Sequence, residues 1–355
     1  MKEYKPKTTE ASGNIRYALM SMGAEATSAY VLFKTVASSV SPDKLATLVL
    51  LFNIIAVMLR PLIAVFADRV ENKHTGVRLG TLLIVLGYYF PVSFGVSTKV
   101  VILALGSCIM HSFAASSILR RDGGKSIGIS LFLGGSILGL ALYTFSPFVC
   151  HIFTAVLIIC AVPDDNYKIT EPKEKAVIYS VHPSVTLISA ALLLISYSLI
   201  FYGFSSISFD WAGFFKTDFL ILGAIGVGRA FGGIVSDKLG RLFTVVAGSL
   251  GGCAIIFFCP DHKKLCLIGL FLLSMPLGSM ITALSKRSLK NSGFIFAIFS
   301  SFAYLGQELT FYAEMKRPAL LFLIAAGAIL AVASSEVPEM VRFIKSLKEN
   351  KNEAS

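Results

Sequence analysis

The chain has 355 residues, of which 55% are hydrophobic and 15% are charged, and its mean hydropathy is +0.75. Soluble domains average about 25% charged residues, so this chain has too few charges to cover a soluble surface. The net charge of +11 does not indicate nucleic-acid binding, because the basic residues cluster in alternate loops between apolar runs. The composition therefore predicts a polytopic protein of the lipid bilayer, with no nucleic-acid partner.

Many apolar runs approach the ~20 residues that a helix needs to cross the hydrocarbon layer. They lack the two-residue alternation of a membrane barrel, and open sheet edges are excluded in lipid, so helices remain. We predict twelve membrane segments in chain order, at 15–37, 43–66, 77–96, 100–119, 127–145, 147–162, 185–206, 213–235, 242–259, 265–284, 292–313 and 318–335.

The longest polar stretch, from Pro163 to Pro183, divides six segments from six. It predicts an N-terminal six-helix bundle at 1–162, a cytoplasmic linker at 163–184, a C-terminal six-helix bundle at 185–336 and a charged cytoplasmic tail at 337–355. Lysine and arginine favour, by about three to one, the loops on the side of both termini, which predicts that both termini are cytoplasmic. We expect an all-α integral protein of the cell membrane, acting as a monomer.

The ends of the second and eighth segments are related in sequence. Arg60 precedes Asp68 by the same spacing that separates Arg229 from Asp237. A small residue stands four positions before each aspartate and a basic residue directly after it; these are Ala64 and Gly233, and Arg69 and Lys238. The two six-helix units are therefore predicted to be copies of one repeat.

The eighth-segment loop carries Gly233, Asp237, Lys238, Gly240 and Arg241 in the order G-x-x-x-D-K-x-G-R. This closely resembles the loop signature of the major facilitator superfamily. The first-half copy departs from it, with Ala64 and Glu71 in place of the glycines.

The resemblance implies two bundles that rock about a central site in alternating access. It also implies a conformational latch at the cytoplasmic face, in which aspartates and nearby cations form charge pairs that break and re-form. The expected latch residues are Asp68, Arg69, Gly233, Asp237, Lys238, Gly240 and Arg241. The alternative is that these are ordinary solvated loop charges.

Ionisable residues within the segments need a partner or a role, because each costs about 2.5–3.5 kcal/mol on insertion scales. Arg60 and Arg229 occupy equivalent repeat positions, and two guanidiniums facing one cavity would clamp an anion through forked hydrogen bonds. Paired arginines on these helices are similar to those of nitrate/nitrite carriers, and monocarboxylate carriers use an arginine on the eighth helix. Structural pairing of the arginines is the alternative reading.

Three further side chains are candidates for proton coupling: Glu25, His111 and Glu308. Glu25 lies near the middle of the first segment, where burial suits a proton carrier; it is also a substrate-binding candidate. The alternative for Glu25 is a fixed ion pair with Arg60 or Arg229. His111 could relay protons or make an interhelical hydrogen bond, and Glu308 could belong to an outer gate.

These features predict a proton-coupled secondary transporter for a small anionic metabolite. A proton-coupled efflux carrier for lipophilic or cationic compounds is the alternative, with Glu25 as the cation partner, and a non-transporting membrane sensor is a third reading. The sequence has no phosphate-binding loop, metal cluster or nucleophile triad. We therefore expect no enzyme activity, cofactor or metal, and we interpret the six cysteines as small buried hydrophobes.

Overall fold

The computed structural model describes residues 7–162, 183–209, 211, 217–312 and 315–353, and within these ranges the chain is helical, with no strand. Almost all of the predicted linker at 163–184 lies outside them. The helices are α1 (Lys7–Tyr30), α2 (Pro42–Arg69), α3 (Lys73–Tyr89), α4 (Val96–Arg121), α5 (Ile127–Phe145), α6 (Val149–Ala161), α7 (Pro183–Ser206), α8 (Thr217–Leu239), α9 (Arg241–Phe258), α10 (Lys263–Ser285), α11 (Leu289–Phe311) and α12 (Arg317–Glu353).

Nine helices of the described ranges are long and apolar enough to cross a membrane; they are α2, α4, α5 and α7 to α12. The helix α6 is apolar but has only 13 residues. Large apolar side chains such as Phe66, Leu187 and Phe258 are exposed on the outer surface, where lipid would cover them. The structure is that of an integral membrane protein. The helix α12 continues past residue 336 through most of the predicted tail.

Two glycines allow α5 to pack directly against α1. A methyl group built on Gly139 would lie 3.0 Å from Ala26 N and 3.1 Å from Glu25 Cβ, and one on Gly135 would lie 3.0 Å from Ala18 C. Small residues four apart permit this close approach of helix backbones. This contact holds Glu25 against α5.

Helices from before and after the linker pack against each other at two related places. The helix α2 contacts α11, and α8 contacts α5; α4 also contacts α11. Because α8 is the predicted repeat of α2, and α11 the repeat of α5, the two contacts are equivalent under the repeat.

Arg60 is positioned by a break in the regular hydrogen bonding of α2. Pro61 has no N–H to donate, and a π-helical turn over Ile54–Met58 precedes it; such turns often lie at functional sites. The freed carbonyl of Val57 accepts a hydrogen bond from Ser301 Oγ at 3.2 Å, and the Ala56 carbonyl accepts one from Arg60 Nε at 3.1 Å. The proline thereby turns the Arg60 side chain back along its own helix.

Candidate substrate and proton site

Glu25 on α1 and His111 on α4 form a buried polar contact. His111 Nε2 lies 3.3 Å from Glu25 Oε1, and the side chains are 3% and 19% exposed respectively. Ser136 on α5 also hydrogen-bonds to Glu25. The sequence left open a fixed ion pair of Glu25 with Arg60 or Arg229; the partner found within 4.0 Å is His111. Arg60 acts on Glu25 only at longer electrostatic range.

The Arg60 guanidinium is buried beside an aromatic ring and has no carboxylate close to it. The residue is 7% exposed, and its guanidinium carbon lies 5.8 Å from the centre of the Phe296 ring. Within the described ranges, no carboxylate oxygen approaches it to within 4.0 Å. Its positive charge is therefore only partly compensated, through Glu25.

Arg229 is buried more deeply, among aromatic side chains of α7. It is 4% exposed, and its guanidinium carbon lies 4.9 Å from the Phe201 ring centre and 6.0 Å from that of Phe204. Among the residues that the structure describes, its Nε atom has no hydrogen-bond partner and no carboxylate lies within 4.0 Å. The aromatic faces stabilise a cation, but they do not neutralise it.

Tyr197 lies within electrostatic range of both arginines. It is fully buried on α7, and its ring meets Phe299 edge-on at 4.9 Å. Sequence alone could not orient this tyrosine, because its surroundings depend on how α7 packs against other helices. The site therefore combines two buried guanidiniums, a shared phenol and the Glu25–His111 contact, an arrangement suited to holding an anion together with a proton.

At one end of the molecule, the Asp68 carboxylate caps the first turn of α11. Oδ1 accepts hydrogen bonds from Gly293 N at 3.0 Å and Ser116 Oγ at 2.6 Å, and Oδ2 accepts one from Phe294 N at 2.9 Å. Arg120 lies 3.8 Å from the carboxylate and donates to the Asp68 backbone carbonyl. A negative charge is stabilised at this position by the free amides and by the helix dipole.

Asp237 makes the repeat-related contact with α5. Its two oxygens accept hydrogen bonds from Ser126 N at 2.7 Å and Ile127 N at 2.9 Å. Gly233 permits this approach, since a methyl group there would lie 2.8 Å from Ile127 Cα. Gly240 has φ 93° at the turn into α9, a conformation that glycine adopts most readily.

The cations of the predicted latch behave differently from the expected charge pairs. Arg69 and Lys238 are exposed, and neither forms an ion pair within the described part of the chain. Arg241 donates to the Gly124 carbonyl and lies 3.4 Å from Glu336. The aspartates bind backbone amides, and Asp68 also lies 3.8 Å from Arg120. The sequence could not indicate the amide contacts, because every residue except proline has this donor. Ser116 and Arg120 at this contact carried no motif and were also missed.

Lys73 closes the carboxyl end of α2 next to Asp68, ahead of the predicted membrane segment at 77–96. Its Nζ atom donates to the carbonyls of Ala67 at 2.7 Å and Val70 at 2.8 Å. Burial lowers the pKa of Lys73 to about 8; the positive charge of Arg120 adds to this effect and Asp68 opposes it. At the far end of α11, Glu308 is half-buried beside Tyr304 and contacts neither Glu25 nor His111.

No family model matches the sequence, and no curated protein matches it in sequence. Solved structures match the fold over nearly the whole chain. The fucose:proton symporter FucP of E. coli has 9% identity and a TM-score of 0.65, covering 93% of this chain and 98% of its own. A bacterial homologue of the iron transporter ferroportin, in an outward-facing state, has 13% identity and a TM-score of 0.56, covering 92% and 98%. The human organic anion transporter MFSD10 (TETRAN) has 13% identity and a TM-score of 0.57, covering 96% and 99%.

The chain shares the fold of these three proteins over nearly its whole length, and this is the fold that its loop signature predicted.

Proposed function

We propose that the protein is a proton-coupled secondary transporter for a small anionic metabolite. It would work by alternating access, with twelve membrane helices in two six-helix bundles and both termini in the cytoplasm of the cell. The observation that carries this proposal is the pair of buried guanidiniums, Arg60 and Arg229, neither with a carboxylate within 4.0 Å among the described residues.

A buried guanidinium is stabilised by a negative charge close to it. Removing one partner of a buried ion pair costs about 3–5 kcal/mol, because it leaves a charge without compensation. A fold that places two cations at its centre without acids beside them is stabilised most by an anion that enters between them. Guanidiniums bind planar oxyanions through paired hydrogen bonds, so carboxylate and nitrate suit the site.

The capping aspartates support the alternating-access part of the proposal. Asp68 and Asp237 each join helices from different halves of the sequence, at the end predicted to face the cytoplasm. Opening that end requires both carboxylates to release helix amides that water can replace. Asp68, Asp237, Gly233, Gly240 and Arg241 therefore act as a conformational latch, with Arg69 and Lys238 at its exposed edge.

A second candidate function is the efflux of lipophilic or cationic compounds. The rings of Phe132 and Phe296, 6.0 Å apart, and of Phe201 and Phe204 give the site an apolar lining. Glu25, with its side chain 19% exposed, would be the partner of the cation.

Thermal unfolding of the purified protein with a panel of ligands separates the two. The panel contains nitrate, phosphate, lactate, fucose and the lipophilic cation tetraphenylphosphonium. A ligand at 100 times its Kd raises the free energy of unfolding by about 2.7 kcal/mol. We expect stabilisation by an anion, lost in the Arg60→Ala/Arg229→Ala variant and retained in a variant of the exposed Arg78, Arg78→Ala.

The Arg60→Lys/Arg229→Lys variant keeps both charges but removes the forked geometry, which guards against a simple folding defect in the alanine variant. Stabilisation by the lipophilic cation alone, sensitive to Glu25→Gln and insensitive to the arginine changes, would move the assignment to the efflux carrier.

A further inference from the structure

The ring orientation of His111 determines where one proton must lie. His111 Nδ1 is 2.9 Å from the carbonyl oxygen of Ser107, and the Ser107 hydroxyl is farther away at 3.3 Å. A carbonyl oxygen only accepts hydrogen bonds, so Nδ1 carries a hydrogen and donates it. In the neutral ring, Nε2 is then a bare lone pair.

The atom that faces this lone pair is a carboxyl oxygen. Nε2 is buried, and Glu25 Oε1 lies 3.3 Å from it. If Glu25 were ionised and Nε2 unprotonated, two hydrogen-bond acceptors would face each other in a buried site and repel. One proton removes the conflict, either on Glu25, facing the nitrogen, or on Nε2, facing the carboxylate. In both cases the pair carries no net charge.

The proton shared by Glu25 and His111 affects the charged and polar groups around them. Arg60 from α2 interacts electrostatically with both Glu25 and His111. Cys108 from α4 and Tyr197 from α7 interact with Arg60 in turn, and Tyr197 also interacts with Arg229 from α8. The helix α5 contributes the Ser136 hydroxyl and the Phe132 ring, which lies 5.4 Å from the His111 ring. Arg60 is the charged group with the strongest electrostatic effect on Glu25.

We infer that Glu25 and His111 hold one proton between them and that this proton is carried with the anion, so that the protein is an anion–proton symporter. The second half of this inference rests on the proposed anion site. With the proton present, both guanidiniums are available to an anion. When it leaves, Glu25 becomes a carboxylate within electrostatic range of Arg60 and competes with the anion for that guanidinium.

The coupling has a definite sign. Protonation of the pair favours anion binding, and by linkage anion binding must favour protonation to the same extent. An antiporter needs the opposite sign, with the anion and the proton excluding each other. His111 is a positioning residue in this scheme, because it acts on the anion only through Glu25.

The test measures proton uptake with a pH-sensitive dye when nitrate or methanesulfonate is added to the purified protein in weakly buffered detergent. Both are anions of strong acids and bring no protons themselves. We expect proton uptake to increase with pH, up to about one proton per bound anion, and to vanish at low pH, where the pair already holds its proton. Glu25→Gln imitates the protonated acid, so it should still be stabilised by the anion but take up no proton.

Two variants complete the design. Asp43→Asn replaces an exposed acid outside the cluster and should take up protons as the wild type does. His111→Gln should still be stabilised by the anion at about pH 5, while its uptake profile moves along the pH axis. A merely structural role of His111 would lower stability without moving the profile.

The outcomes separate this inference from the proposed function. Anion binding with no proton uptake, or with proton release, overturns symport and leaves the anion site standing. If no anion stabilises the protein, the anion site fails, and infrared titration of the ligand-free protein tests the shared proton. Glu25→Gln should then remove one titrating carboxyl or imidazolium signal, and His111→Gln should shift it. A spectrum that neither variant changes overturns the shared proton.

Discussion

Asp68 and Asp237 cap helices in each other's half of the sequence: the first binds the amides of Gly293 and Phe294, the second those of Ser126 and Ile127. The two caps are not identical. Asp237 binds the residue before α5 and its first residue, whereas Asp68 binds the second and third residues of the α-helical part of α11. Asp68 also has the Ser116 hydroxyl and the Arg120 guanidinium beside its carboxylate.

Neutralising the caps should open this end of the molecule. In the Asp68→Asn/Asp237→Asn variant each side chain keeps one acceptor oxygen but loses its charge, at a cost of about 1–2 kcal/mol per cap. The equilibrium constant that favours the closed arrangement over the open one should fall by a factor of about 5–30 per site. The measurement is the alkylation rate of Ser292→Cys, at a fully buried position. An equal rise with Glu71→Gln, which alters an exposed neighbouring acid, would contradict the role of the caps.

Close packing of α5 on α1 should be sensitive to a single methyl group. Gly139→Ala would place Cβ 3.0 Å from Ala26 N and 3.1 Å from Glu25 Cβ, and we expect it to lower the free energy of unfolding by about 1–3 kcal/mol. The matched control is Gly223→Ala in α8, where nothing lies within 4 Å. That change should stabilise the helix by about 0.5–1 kcal/mol. The unfolding temperature in detergent should fall for Gly139→Ala and rise for Gly223→Ala. Equal shifts in the two variants would contradict close packing at Gly139.

Lys73 should make stability depend on pH in the alkaline range. Its pKa falls from 10.5 to about 8 on folding, so between these values the unfolded chain binds more protons than the folded one. Stability should therefore rise as the pH increases through this interval. Lys73→Met should remove that rise, seen as a smaller change in unfolding temperature between about pH 8 and about pH 10. Lys44→Met, at an exposed lysine, serves as the control, and a loss of the rise in both variants would exclude Lys73 as its source.

Sequence patterns predicted the parts of the fold that depend on local chemistry. Apolar length located the helices. The signature around Asp237 led to the fold that the three solved structures share, because it is carried by residue types in a fixed order.

Contacts between distant helices could not be read in the same way. Glu25 and His111 are far apart in the chain, and nothing local indicates that α1 and α4 bring them to 3.3 Å. The backbone amides of Gly293 and Phe294 are invisible in a sequence for a different reason, since every residue except proline has the same donor. The helix α12 continues through the charged residues at 337–353, a feature that the end of the apolar run does not indicate.

The Val57 carbonyl, which cannot accept the usual N–H from four residues on because that residue is Pro61, affects how the centre becomes hydrated. In the present arrangement Ser301 on α11 donates a hydrogen bond to it at 3.2 Å. If α11 moves away from α2, Pro61 has no N–H to replace that hydroxyl, and an under-satisfied carbonyl in an apolar surrounding is costly. Water would therefore have to enter beside Val57 as α11 moves away. The first water molecule admitted would stand within one turn of Arg60, so the proline determines where a proton path from the solvent would begin.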